Sequence, residues 1–294
     1  MATDSAKEGE PAVGGFSYPF RLLGERLGAA GRPDAVVADR PQVRRIGVRD
    51  LRLALRLGWA DFAANRTDVM FLCLLYPVIG LVLSRAAVGY EVLALLFPLA
   101  AGFALVGPLA GTGLYEMSRR LEAGEEAVSW RTAFAAMRTR GFGPIVLLGV
   151  LYAALFVIWL QAALAIYEHF LGATPPASAR DFLHGVFATR AGWQMIVAGN
   201  LVGLAFAIVA FTVGVVSFPM LIDGRFGRSF GEMLSLAVST SLAAVRANPL
   251  PMALWGLIVA ALLVVGSVPF FLGLVVVMPL LGHATWHLYR RLIG

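Results

Sequence analysis

The chain has 294 residues, of which 59% are hydrophobic and only 14% charged, with a mean hydropathy of +0.78. A soluble domain carries about 25% charged residues, so this balance excludes a soluble globular protein and points to an integral membrane protein. The formal charge of +6 comes almost wholly from arginines at the ends of apolar runs, Lys7 being the only lysine, a placement that suits anionic lipid headgroups rather than nucleic acid.

Several apolar runs reach the roughly 17–25 residues that cross a hydrocarbon core about 30 Å thick, and none alternates as barrel strands do. The fold class is therefore all-α, a polytopic helical membrane protein. Cys73, the single cysteine, lies inside the first apolar run and reads as a small buried hydrophobe; no intramolecular disulfide is available to it.

Residues 1–45 mix Gly, Ala, Pro and charge without a run long enough for a signal-peptide core, and read as a flexible cytoplasmic tail ahead of a membrane domain over 46–294. From Arg49 to Asn65, Leu51, Leu55, Trp59 and Phe62 recur at helical spacing while Arg49, Arg52 and Arg56 gather on another face. This predicts an amphipathic helix lying in the membrane interface. Spans over 69–88 and 92–115 follow, the first containing Pro77.

After the charged stretch 122–126, Trp130, Phe134 and Met137 oppose Arg131 and Arg138, which predicts a second surface helix. A third span covers 144–168. A loop of roughly 25 residues, broken at Pro175 and Pro176, reads as a solvated outer loop. A fourth span covers 193–222. Leu234, Val238, Leu242 and Val245 make a third amphipathic stripe, and the apolar stretch 250–289 is long enough for two spans joined at Gly266–Pro269.

The order surface helix, span, returning span thus occurs in units of approximately 49–120, 129–228 and 230–291. Pro108, Gly111, Arg119 and Arg120 fall in the same register as Pro279, Gly282, Arg290 and Arg291, which supports a threefold internal repeat. With six spans and both termini in the cytoplasm, only Arg85, Arg180 and Arg190 fall on the outer side, as the excess of positive charge on cytoplasmic segments requires.

Five stretches carry a resemblance: Gly58-Trp59-Ala-Asp61-Phe62; residues 107–120 with Tyr115, Glu116, Arg119 and Arg120; Phe218-Pro219-Met-Leu-Ile-Asp223; residues 248–256 with Trp255; and Gly282-His283-Ala-Thr-Trp286-His287-Leu-Tyr-Arg290. Together they resemble the bacterial integral-membrane family DUF2189 over roughly residues 45–294. The resemblance implies a bacterial inner-membrane protein and brings no reaction with it.

His283 and His287 stand one turn apart on the last span, where two imidazoles can take a polar ligand, a proton or a quinone hydrogen bond. Two histidines are too few for a closed metal site, and no metal or other cofactor is assigned. The plainer reading makes His287 interfacial and gives His283 a structural hydrogen bond to a neighbouring helix. Glu116 is the repeat counterpart of His287, and Asp223 ends the fourth span in a related place. These four form the candidate ligand or proton-linked set; the plainer reading pairs the two acids with Arg119, Arg120 or Arg225. Arg49, Arg52, Arg56, Trp59, Arg119, Arg120, Arg290 and Arg291 are the candidate lipid anchors.

No phosphate-binding glycine loop, His-Glu-x-x-His helix or Gly-x-Ser-x-Gly elbow is present, so no catalytic residues are assigned. The first functional expectation is a non-catalytic accessory, assembly or membrane-organising factor, acting through anionic lipid and a membrane-protein partner. A small-solute transporter or permease is the alternative, and a haem- or quinone-linked respiratory component the third.

Overall fold

The computed structural model describes residues 41–64, 97–99, 107–109, 111–125, 128–174, 176–269 and 271–294. Among them the elements are helical, apart from one antiparallel bridge between Val43 and Ile293. The helices are α1 (Val48–Ala64), α2 (Thr112–Glu122), α3 (Trp130–Ala133) with a 3-10 continuation (Phe134–Arg138), α4 (Phe142–Leu171), α5 (Ala179–Ala188), α6 (Arg190–Asp223), α7 (Phe230–Ala247), α8 (Pro249–Ser267) and α9 (Leu274–Leu292).

Three of these, α4, α6 and α8, are long and apolar enough to cross a membrane. Their ends are fixed by local chemistry. Thr189 Oγ1 accepts from Gly192 N at 2.9 Å to open α6, and Gly224, at φ 66°, closes it by donating its N–H to the Met220 carbonyl. That conformation is cheap only for a residue without a Cβ. At 1.5 Å per residue, the 30 residues of α4 and 34 of α6 span about 45 and 50 Å, well beyond the hydrocarbon thickness. Their ends therefore project past the core, where the shorter helices gather.

The expected span over 69–88 lies outside the described residues, as do the 1–40 part of the expected tail and most of the span over 92–115. The break expected at Gly266–Pro269 falls slightly later: Gly266 and Ser267 still belong to α8, α9 starts at Leu274, and α9 is not among the helices long and apolar enough to cross a membrane.

The amphipathic elements differ from one another. α1 buries Leu51, Ala54, Gly58 and Phe62 and packs along α9, with Gly58 at the closest approach: a Cβ there would stand 2.5 Å from the Ala284 amide nitrogen. Trp59, expected on the apolar face, is instead 52% exposed, because Gly58 takes the central position of the seam. The second surface helix is one α turn followed by a 3-10 turn. It buries Ala133 and Ala136 and leaves Phe134 and Met137 outside.

In α7 the buried residues are Met233, Ala237, Thr240, Ser241 and Ala244, one position away from the expected stripe of Leu234, Val238, Leu242 and Val245. The small side chains win the face against α6 because they let the two backbones approach. Ser241 then donates to the Thr212 carbonyl at 2.7 Å.

The Gly58 seam gives a direct check. Gly58→Ala is expected to cost about 1–3 kcal/mol through overpacking against Ala284. It should lower the thermal midpoint of the purified protein, whereas Gly231→Ala, with no atom within 4 Å of its new methyl, should leave the midpoint in place.

Candidate functional site

α9 is the element on which the polar residues converge. Its sequence puts His283 and His287 on one face, Trp286 and Arg290 on a second and Tyr289 on a third, following the helical i, i+4 rule. Each face meets a carboxylate from a different part of the chain.

The histidine face meets α1 and α2. Asp61 Oδ2 accepts from Ser118 Oγ at 2.6 Å and pairs with His287 Nε2 at 2.8 Å. Ser118 Oγ also lies 2.7 Å from His283 Nδ1. Ser118 and His283 are fully buried, and the side chains of Asp61 and His287 are 16% and 13% exposed. Proton counting fixes the roles. Ser118 spends its one proton on Asp61, so His283 Nδ1 must donate to Ser118. His287 donates through Nε2. The lone pair of a neutral His283 then sits on Nε2, which is buried without a hydrogen-bond partner.

The second face meets Glu122, which accepts from Trp286 Nε1 at 3.0 Å and from Arg290 Nε at 2.9 Å. The third meets Asp223: Tyr289 Oη donates to Asp223 Oδ2 at 2.5 Å, and Arg225 Nε reaches both carboxylate oxygens at 2.8 Å. Arg290 Nη1 stands 3.9 Å from the same acid and so links the two groups. The hydrogen bond to Asp223 pushes the Arg225 pKa further up, against the effect of burial.

Glu116 is fully buried in α2. Arg119 holds it through Nε at 2.7 Å and Nη2 at 2.8 Å, and Arg120 Nε adds a third bond at 2.7 Å. These bonds raise the pKa of both guanidiniums, while burial opposes the shift. A carboxylate with three charge-assisted donors is a saturated acceptor.

Asn248 closes this end of the protein. Its Oδ1 accepts from Ile46 N at 2.7 Å and its Nδ2 donates to the Arg44 carbonyl at 3.0 Å, tying the segment before α1 to the α7–α8 junction. Arg44 N donates to the Leu292 carbonyl at 2.8 Å, which joins the same segment to the end of α9.

The four expected ligand residues therefore do not form one cluster. His283 and His287 share Asp61 and Ser118, Asp223 belongs to Tyr289 and Arg225, and Glu116 is held by the two arginines beside it. Among the expected lipid anchors, Arg49, Arg52, Arg56 and Trp59 are exposed. Arg119, Arg120 and Arg290 are engaged within the protein, and Arg291 is 3.9 Å from Asp50. Asp61, Ser118, Glu122 and Tyr289 are the residues that sequence reasoning passed over. Asp61 had a signal, as the one charged residue in α1 after Arg56. Among the described residues, no group of three or more His, Cys, Asp or Glu is arranged to hold a metal ion.

Apolar helices of spanning length, closed at one end by a belt of ion pairs, define a helical integral membrane protein. Residues 96–223 match the model of the family described as predicted integral membrane protein (DUF2189), so the resemblance holds over that stretch. The match contains Glu116, Ser118 and Asp223, and is shorter than the expected 45–294; Asp61, His283 and His287 lie outside it. No curated protein and no solved structure matches the chain.

Proposed function

We propose that this is a six-span protein of the bacterial inner membrane with both termini cytoplasmic, built on a threefold repeat. In this reading it is a non-catalytic accessory or membrane-organising factor that works through anionic lipid and a membrane-protein partner. The single observation that supports it best is the mounting of α1. One face is locked on α9 through Gly58, Leu51 and Asp61, and the other holds Arg49, Arg52, Arg56 and Trp59 exposed. Arginines beside an exposed indole at the end of apolar helices suit the phosphate and glycerol level of a bilayer. Because α1 is fixed by packing, that face needs no lipid to become ordered and loses little entropy on binding it.

The test is lipid retention. Wild type, released from detergent micelles in native mass spectrometry, is expected to keep phosphatidylglycerol in preference to phosphatidylethanolamine. A variant with Arg49, Arg52 and Arg56 all changed to Gln is expected to lose the preference, each removed charge near the surface being worth about 1 kcal/mol. Equal selectivity in the two proteins would contradict the role of α1.

A small-solute permease is the second reading, favoured by a groove of about 900 Å³ among α6, α8 and α9, whose lining includes Tyr115, Asn200, Thr212 and Thr285. Most of its lining is apolar, so a solute there would be lipophilic rather than an ion.

A further inference from the structure

The stretch between α4 and α6, read from sequence as a solvated loop, contains α5, a ten-residue helix with a capped start. Ser178 Oγ accepts from Asp181 N at 3.1 Å. At the other end Thr189 Oγ1 donates to the Gly185 carbonyl at 2.6 Å while capping α6, so a single side chain joins the two helices. Phe182 packs beside Tyr167 of α4, with ring centroids 6.3 Å apart, and Val186 is 6% exposed. α5 is thus held against the span ends at the opposite end from the arginine-rich belt.

That docking leaves two large apolar side chains uncovered. Leu183 is 53% and Phe187 57% exposed, and they are one turn apart, on the flank between the docked face and the polar face that carries Arg180, Asp181 and His184. Trp193 of α6 is 56% exposed, and its indole N–H donates to the Phe187 carbonyl at 3.0 Å. From Trp193 an exposed apolar stripe descends α6 at helical spacing through Val197 and Leu201. α6 has the length and composition of a membrane span, so this stripe faces acyl chains. Leu183 and Phe187 continue the same surface upward across Trp193, where tryptophan typically marks the bilayer interface.

We propose that α5 is a membrane-surface helix that dips Leu183 and Phe187 into the lipid leaflet at this end and keeps Arg180 and His184 at headgroup level. The occupant of its uncovered face is phospholipid. The amphipathic elements of the chain then grip the bilayer from both ends of the spans: α1 by charge and an indole, α5 mainly by apolar burial. This assignment does not depend on the lipid selectivity of α1.

Depth measurement tests it on the full-length protein in nanodiscs of phosphatidylethanolamine and phosphatidylglycerol. With Cys73→Ala as the background, a nitroxide is attached at Leu183→Cys, Phe187→Cys, Val197→Cys or Ala188→Cys, in separate proteins. Ala188 is exposed and lies about 100° round the helix from Phe187. The three apolar positions are more than half exposed, so the thermal midpoint should match that of the background protein. Labels at 183 and 187 are expected to collide with molecular oxygen and to be shielded from a water-soluble nickel chelate, at depths roughly 5–10 Å below the headgroups. The label at 197 should lie deeper, and the label at 188 should meet the nickel chelate freely. Free nickel access at 183 and 187 would overturn the proposal in favour of a solvated helix. Exclusion of both reagents there would overturn it in favour of a protein-covered face.

Discussion

Asp61→Ala is expected to destabilise the protein by about 3 kcal/mol, the cost of leaving a buried hydrogen-bonded group without its partner charge. Three side chains depend on that carboxylate. Ser118 loses the acceptor at 2.6 Å, His287 the one at 2.8 Å, and His283 the serine orientation that receives its Nδ1 proton. The damage should be local first: amide hydrogen exchange across α1 should accelerate while that of α4 and α6 stays near wild type, since α1 is docked chiefly on α9. Asp61→Asn preserves the shape and one carbonyl acceptor, and is expected to lose about 1 kcal/mol. Unfolding in mixed micelles titrated with sodium dodecyl sulfate measures the two losses, and their order tests the assigned proton directions.

The second large effect is at Glu116. Its side chain is 1% exposed and carries three bonds from Arg119 and Arg120, whose side chains are 35% and 30% exposed. Glu116→Ala leaves two guanidiniums facing a cavity at the head of α2. A fully buried pair broken this way costs about 3–5 kcal/mol; partial exposure of both arginines places the expected loss nearer 2–3 kcal/mol. Glu116→Gln keeps one acceptor oxygen and should fall between Ala and wild type. The loss should change little between low and high salt, because the carboxylate is sealed from ions. A rim pair such as Arg120 with Glu125, 49% exposed on the acid side, should contribute under about 1 kcal/mol and vanish in salt.

Apolar length and terminating residues were legible in the sequence. The helices α4, α6 and α8 cover the runs expected over 144–168, 193–222 and the first part of 250–289, and the break expected at Gly266–Pro269 lies within two residues of the end of α8. The ion pairing of Glu116 with Arg119 and Arg120, and of Asp223 with Arg225, was also readable, because the partners are two to four residues apart.

What could not be read was which apolar face looks inward. In water, hydrophobic periodicity separates core from solvent; in a bilayer the lipid-facing side is apolar too, and the packing face is marked by small residues instead. Small residues mark the packing face of the surface helices as well, because they let two backbones approach: Gly58 displaced Trp59 from the α1 seam, and α7 turned by one position towards Ala237, Ser241 and Ala244. The long-range partners left no trace either. Asp61 meets His287 across 226 residues and Ser118 across 57, and no periodicity links them. His283 and His287 were legible as a pair but not as a pair bound to Asp61. Read with their partners, they belong first to the docking of α1, and through it to the orientation of Arg49, Arg52 and Arg56.

The coupling between Asp61 and His287 decides whether this pair docks α1. Unfolding free energies of wild type, Asp61→Asn, His287→Gln and the double variant form a cycle in which the pair's own contribution separates from the two single losses. If the histidine is an architectural clamp between α9 and α1, the double variant will lose less than the sum of the singles, by about 0.5–3 kcal/mol. If the two losses simply add, Asp61 and His287 do not hold α1 to α9, and the polar belt is not the mount for the basic surface.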